Sequence, residues 1–195
     1  MSKWKQPIVL ASSSPRRSRL LSENGIDVVI SPPNIDDGGL TCCTIPVDLW
    51  VQSLAVMKSE NVRQLQERCD GTVLAADTVC IVNKEIIGQP NDSDEAFSMI
   101  LSMTNREHEV CTGWCLQSLN GDRIQVGFEV ATITLGHISE DDIFNYVATG
   151  AWKGKAGGYN LSERIVAGWP IDCEGDPTSV MGLPMIQLLK ELASD

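Results

Sequence analysis

The sequence predicts an α/β fold, and three observations predict it. An apolar strand turns directly into a helix over residues 7–25, helical and strand patterns alternate from residue 47 to residue 103, and a long hairpin pattern covers 107–135. With 195 residues, 43% of them hydrophobic, the chain can fill one sizeable core or two small lobes sharing a cleft. One domain over 1–195, with a cleft, is expected.

Pro7 to Ala11 is a short apolar run, followed by Ser12, Ser13, Ser14 and Pro15. These supply a turn, an N-cap and a proline at the first helical position, and Gly25 is a natural residue just past the helix end. Asp27 to Ser31 reads as a second strand, and the Pro-, Gly- and Cys-containing stretch to Pro46 as a loop. From Val47 to Cys69 the residues Val47, Trp50, Val51, Leu54, Ala55, Val62 and Leu65 recur at helical spacing, and Lys58 lies on their stripe.

Thr72 to Ala76 reads as a buried strand, and Cys80 to Val82 with Ile86–Ile87 as a hairpin around Asn83–Lys84, leaving Asp77 between the two. Asn91 to Met103 reads as a helix capped by Asn91 or Ser93. Glu107 to Leu135 reads as a hairpin turning at Asn120–Gly121, and Ser139 as the cap of a helix ending at Gly150. Short apolar runs and glycines fill Trp152 to Asp176, and Ser179 to Ala193 reads as a final amphipathic helix carrying a central Gly-x-Pro.

A formal charge of −11 repels nucleic acid phosphates over the general surface, so no nucleic acid partner is expected. No run approaches the roughly 20 apolar residues that span a bilayer, and Met1 to Gln6 is polar, so no membrane partner and a cytoplasmic location are expected. Seven cysteines, without C-x-x-C spacing, read as reduced thiols that are mostly small buried hydrophobes.

Residues 12–17, Ser-Ser-Ser-Pro-Arg-Arg, stand at a helix start, where free N–H groups and the helix dipole attract phosphate. Cationic side chains in a first turn oppose that dipole, and a bound polyphosphate reverses the sign. The alternative is that Arg16, Arg17 and Arg19 form a solvated helix face. Asp77 follows an apolar strand and holds a divalent metal, accepts a proton from water, or is an ordinary turn aspartate. Lys58 either snorkels or meets an anion. Lys153 and Lys155 lie among glycines that admit close backbone approach; the alternative is a flexible surface loop. Residues 150–156 are one residue short of a Walker A loop and lack its Ser/Thr, and the two histidines form no zinc motif. Carboxylate, magnesium, arginine and lysine together are the groups that phosphoanhydride hydrolysis uses.

The segments Leu10–Arg17 (LASSSPRR), Ala75–Val79 (AADTV), Thr112–Gly113, Lys155–Tyr159 (KAGGY) and Val180–Pro184 (VMGLP) resemble, in order, the motifs of the Maf proteins. That resemblance spans almost the whole chain. It implies an elongated α/β fold shared with inosine-triphosphate pyrophosphatases, a mixed sheet with flanking helices, two lobes around a central cleft, often a homodimer, and hydrolysis of a nucleoside triphosphate between its α- and β-phosphates. It implies Asp77 as general base or metal-organising carboxylate, with Asp36 or Asp37 of Ile35-Asp36-Asp37 helping to hold a divalent ion, Mg2+ with Mn2+ or Co2+ as alternatives. It implies that Ser12, Ser14, Arg16, Arg17, Lys58 and Lys155 hold the triphosphate.

Arg16 and Thr78 resemble the branch that hydrolyses dTTP and UTP. Ser162–Glu163 and Glu174–Pro177 resemble the branch acting on 7-methyl-GTP, so substrate identity is open between them. Gln89 and Gly154 stand where the family usually has lysine and aspartate, and Ser162 where a glutamine is tied to base choice. A non-catalytic nucleotide-binding regulator of cell division is the alternative function.

Overall fold

The computed structural model describes residues 3–35, 40, 45–67 and 70–193. Among these, the strands are β1 (Ile8–Leu10), β2 (Val28–Ile30), β3 (Thr72–Val82), β4 (Glu85–Ile87), β5 (Arg106–Ser118), β6 (Ile124–Leu135) and β7 (Ile171–Glu174). The helices are α1 (Pro15–Glu23), α2 (Val47–Leu65), α3 (Ser93–Met103), α4 (Glu140–Ala148), α5 (Leu161–Val166), α6 (Pro177–Val180) and α7 (Met185–Ala193), with a 3₁₀ turn at Ala156–Gly158.

The strands run in the order β2-β1-β3-β5-β6-β7, with β4 paired to β3. The sheet is mixed, as expected. Ile8 pairs in parallel with both Val28 and Thr72, whereas Cys80 opposite Ile87 and Thr132 opposite Glu174 belong to antiparallel pairs. The chain divides into two compact units: Met1–Asp77 with Thr112–Glu129 and Gly182–Asp195, and Thr78–Cys111 with Val130–Met181.

In the first unit, Val9, Ala11, Val73 and Ala75 pack with Val62 and Leu119. The apolar run 7–11 forms a strand because it can be covered, and Leu10 and Leu74 are fully buried. Gly25, at φ 72°, closes α1 as its position suggested. Helix α2 buries Val51, Leu54, Ala55, Ser59 and Val62, but ends at Leu65, four residues before the expected end. Leu65 is 56% exposed and polar residues follow it, so no apolar stripe draws another turn onto the core.

In the second unit, Ile100 and Met103 of α3 and Ile143 and Val147 of α4 meet Ile133, Leu135, Tyr159 and Leu161. The cap of α3 is Asp92, whose carboxylate accepts from Glu95 N, so neither Asn91 nor Ser93 fills that place. Asn91 instead donates to the Glu95 side chain. Ser139 caps α4 as expected, accepting from Asp142 N at 3.1 Å. The hairpin at 83–84 is also as expected, both turn residues having positive φ, 52° and 69°.

Two further expectations are corrected. The region 72–82 is one continuous strand, so Asp77 lies within it and not between two elements. The final helix is two helices, because Gly182 at φ 109° and Pro184 interrupt it. The four-residue β7 and six-residue α5 inside 152–176 are too short for periodicity to reveal.

Candidate functional site

Asp77 is the sixth residue of β3 and 9% exposed. Its Oδ1 accepts from Lys58 Nζ at 2.5 Å, and each side chain is 13% exposed. Lys58 therefore does not snorkel; the stripe of α2 delivers its ammonium to the strand carboxylate. Two features fix α2 against β5. A Cβ on Gly113 would lie 2.4 Å from the backbone carbon of Val51, so helix and strand touch without a side chain between them. Next to Lys58, the fully buried Ser59 donates to Gln117 Oε1 at 2.8 Å, and Gln117 Nε2 donates to Glu60 Oε2 at 2.8 Å. Glu60 also accepts from Arg63 and Gln64, bonds that hold its carboxyl down at about 2.

At the start of α1, Ser12 is buried and its Oγ accepts from Ser14 N at 3.1 Å and from Arg17 Nη1 at 3.2 Å. Ser14 is the N-cap, yet its side chain makes no cap bond, and the first turn holds no acidic residue. Arg17 has a structural task besides: its Nε donates to Gly182 O at 2.9 Å, tying α1 to the break between α6 and α7. Arg16 is half-buried.

Thr78 is half-buried and points to the opposite face of β3 from Asp77. Lys155 is 8% exposed and its Nζ donates to Glu163 Oε2 at 2.5 Å. Asn160 organises the start of α5, accepting at Oδ1 from Ser162 Oγ at 2.9 Å and from Glu163 N at 3.0 Å. Ser162 and Glu163 are exposed. The structure thus brings together Lys58 with Asp77, Ser12 with Arg17, and Lys155 with Glu163 and its Asn160 cap. Asp36 and Asp37 lie outside the described residues. Among the described residues no group of three or more His, Cys, Asp or Glu side chains is placed to hold a metal ion.

Sequence reading missed Asn160, although Asn-x-x-Glu before an apolar run is a capping signal. It also missed Gln117, Ser59 and the pair His108–Tyr159, whose ring nitrogen Nε2 and hydroxyl lie 2.7 Å apart. Partners 51 or more residues apart leave no local spacing to read. Burial holds His108 down at about 4, so its ring is neutral. Of the cysteines described, Cys80, Cys111 and Cys115 are buried and Cys173 is half-buried, none of them in a disulfide. Burial pushes Cys80 up to about 12 and Cys115 to about 11, which keeps both protonated and unreactive.

Residues 7–194 match the model of a protein family described as Maf-like protein. The dTTP/UTP pyrophosphatase of Pyrococcus furiosus is 34% identical over 183 residues, covering 94% of this chain and 92% of that protein. The dTTP/UTP pyrophosphatase of Pelotomaculum thermopropionicum is 37% identical over 184 residues, covering 93% and 92%. That of Symbiobacterium thermophilum is 36% identical over 188 residues, covering 96% and 93%. Among solved structures, a nucleoside-triphosphatase / dITP/XTP pyrophosphatase from Mycobacterium abscessus aligns at a TM-score of 0.41 and 14% identity, covering 67% of this chain and 73% of that one. No described helix is long and apolar enough to cross a membrane.

Proposed function

Because the chain belongs to the family of Maf-like proteins, we propose that it is a nucleoside triphosphate pyrophosphatase that cuts dTTP and UTP to the monophosphate and pyrophosphate. The geometric observation that carries this reading is the Lys58–Asp77 pair, a strand carboxylate and a cation at 2.5 Å. The relatives' shared name, dTTP/UTP pyrophosphatase, supports the choice of base. The family model spans residues of both compact units, which supports taking 1–195 as one functional domain.

In the proposed reaction the oxygen of a water bonds to the α-phosphorus and its proton passes to Asp77. The bond from that phosphorus to the bridging oxygen breaks, and pyrophosphate leaves with that oxygen. Before substrate arrives, Lys58 neutralises Asp77; a phosphate oxygen that takes the ammonium frees the carboxylate to act as base. Ser12, Ser14, Arg16 and Arg17 offer the triphosphate hydroxyls, guanidinium groups and the start of α1, whose dipole the phosphates satisfy. Lys155 offers a second ammonium, Ser162 and Glu163 offer groups for the base, and Thr78 takes part in substrate binding.

A divalent ion of the magnesium kind takes one or two carboxylates, substrate oxygens and water, and Asp77 is the one proposed carboxylate donor among the described residues. Asp77 would hold it, with Asp36 or Asp37 as further donors, and Mg2+ is proposed over Mn2+ or Co2+. When bound, such an ion neutralises charge on the phosphates. Residence in the cytoplasm, where nucleotide pools reside, and a role in removing non-canonical or modified nucleotides belong to the same proposal.

The test is kcat/KM with Mg2+ on dTTP, UTP, CTP, GTP, ITP and 7-methyl-GTP. The expected result is highest values on dTTP and UTP, and no turnover once a chelator has removed the metal. Preference for 7-methyl-GTP would overturn the base assignment, and tight binding without turnover would leave a nucleotide-binding regulator.

A homodimer is also proposed, supported by Ile124, Val126 and Phe128, which are 51%, 42% and 40% exposed along one face of β6. Sedimentation is expected to give a dimer that Phe128→Glu dissociates; a monomeric wild-type protein would end that proposal.

A further inference from the structure

We infer that His108 is a positioning residue of the proposed reaction, holding the Lys155 turn in place through the hydroxyl of Tyr159. The inference rests on the proposed contact of Lys155 with phosphate. Lys155 leads into the 3₁₀ turn Ala156–Gly158, where Gly157 and Gly158 have φ of 72° and 77°. Consecutive glycines in this region give the backbone least stiffness of its own, so the pose must be fixed from outside.

Four bonds fix it. Gly157 N donates to Gly88 O at 3.1 Å, Gly158 N to Lys155 O at 3.0 Å, and Tyr146 Oη to Gly158 O at 3.1 Å. The fourth, between Tyr159 Oη and His108 Nε2 at 2.7 Å, ties the residue after the glycines to β5. The two rings meet edge to face at 5.9 Å, with 78° between their planes.

Stability alone does not account for this last bond. His108 is 3% exposed, and its Nδ1 has no hydrogen-bond partner among the described residues. A neutral imidazole has one donor and one acceptor, so in either tautomer one buried nitrogen is unmatched. Apolar residues at both places would remove that loss, since replacing both partners of a buried bond is often nearly neutral. What the polar pair adds is direction: a short bond between two buried rings sets the orientation of Tyr159 and, through it, the end of the turn that carries Lys155. Tyr159 is itself 9% exposed, and burial raises its hydroxyl above the ordinary phenol range, so it stays protonated and able to donate.

The test compares melting temperature, kcat and KM on dTTP for Tyr159→Phe, His108→Leu, the double variant, Lys155→Ala, and Tyr159→Phe combined with Lys155→Ala. Tyr159→Phe is expected to lower the melting temperature and to reduce kcat/KM about tenfold, the scale of a small misplacement of a binding group. The double variant is expected to regain the melting temperature but not kcat/KM. In the Lys155→Ala background, Tyr159→Phe is expected to leave kcat/KM unchanged. Recovery of kcat/KM along with stability in the double variant, or a further tenfold loss without Lys155, would overturn the inference. Wild-type kcat/KM in Lys155→Ala alone would instead remove the phosphate contact on which it stands.

Discussion

Asparagine in place of Asp77 is expected to lower the rate of pyrophosphate release about a thousandfold, the usual scale for loss of a general base, while the fold and nucleotide binding survive. The substitution keeps shape and an acceptor oxygen, so Lys58 Nζ retains a partner where Asp77 Oδ1 now accepts at 2.5 Å. The side chain loses its charge, and with it part of its hold on a divalent ion, and its capacity to take a proton from water. Steady-state rates on dTTP, set beside calorimetric binding of the same nucleotide, separate the two effects. Turnover within about tenfold of wild type would show that proton transfer to this carboxylate is not what makes the reaction fast.

Gly113→Ala is expected to destabilise the protein by about 3 kcal/mol, at the upper end of ordinary overpacking costs. The added Cβ would stand 2.4 Å from Val51 C, 2.6 Å from Gln52 N and 2.6 Å from Val51 O. All three are backbone atoms of α2, so no side chain can rotate away and the helix itself must withdraw. Lys58 lies two turns further along that helix, so the same shift draws its ammonium from Asp77 and a loss of activity is expected with the loss of stability. Urea unfolding measures the first effect and dTTP hydrolysis the second. An unchanged midpoint would mean that the close contact of α2 with β5 is not a constraint.

Gly113 also shows how motif and physics divide. The sequence picks out Thr112–Gly113 by resemblance, with no indication of what the glycine does; in the fold it is the place where a helix backbone lies on a strand. Strand-turn-helix punctuation at 12–15, the Asn83–Lys84 turn and the Ser139 cap are legible because each depends on neighbours in sequence. The α/β alternation is legible for the same reason, as a succession of local patterns, whereas the mixed strand directions follow from the resemblance, because parallel partners such as Ile8 and Thr72 lie far apart in sequence.

Meetings across the chain are not legible. The helical stripe of α2 reveals that Lys58 faces inward but not that Asp77 stands opposite, and nothing near residue 58 announces Gln117. The opposing charge of Arg17 in a first helical turn is a legible irregularity, and the structure gives it a partial account in the bond to Gly182 O. Breaks in the last helix follow from Gly182 and Pro184, both visible beforehand, but an amphipathic pattern that continues past them outweighs the punctuation. Asp36 and Asp37 lie outside the described residues, so their proposed share in holding a metal rests on the resemblance of Ile35-Asp36-Asp37 alone.

Hydrolysis of dTTP in water enriched in oxygen-18, with the products separated and weighed by mass spectrometry, shows which phosphorus the water attacks. Attack at the α-phosphorus is expected to place one heavy oxygen in dTMP and none in the pyrophosphate. Heavy oxygen in pyrophosphate, or in orthophosphate released beside dTDP, would contradict it.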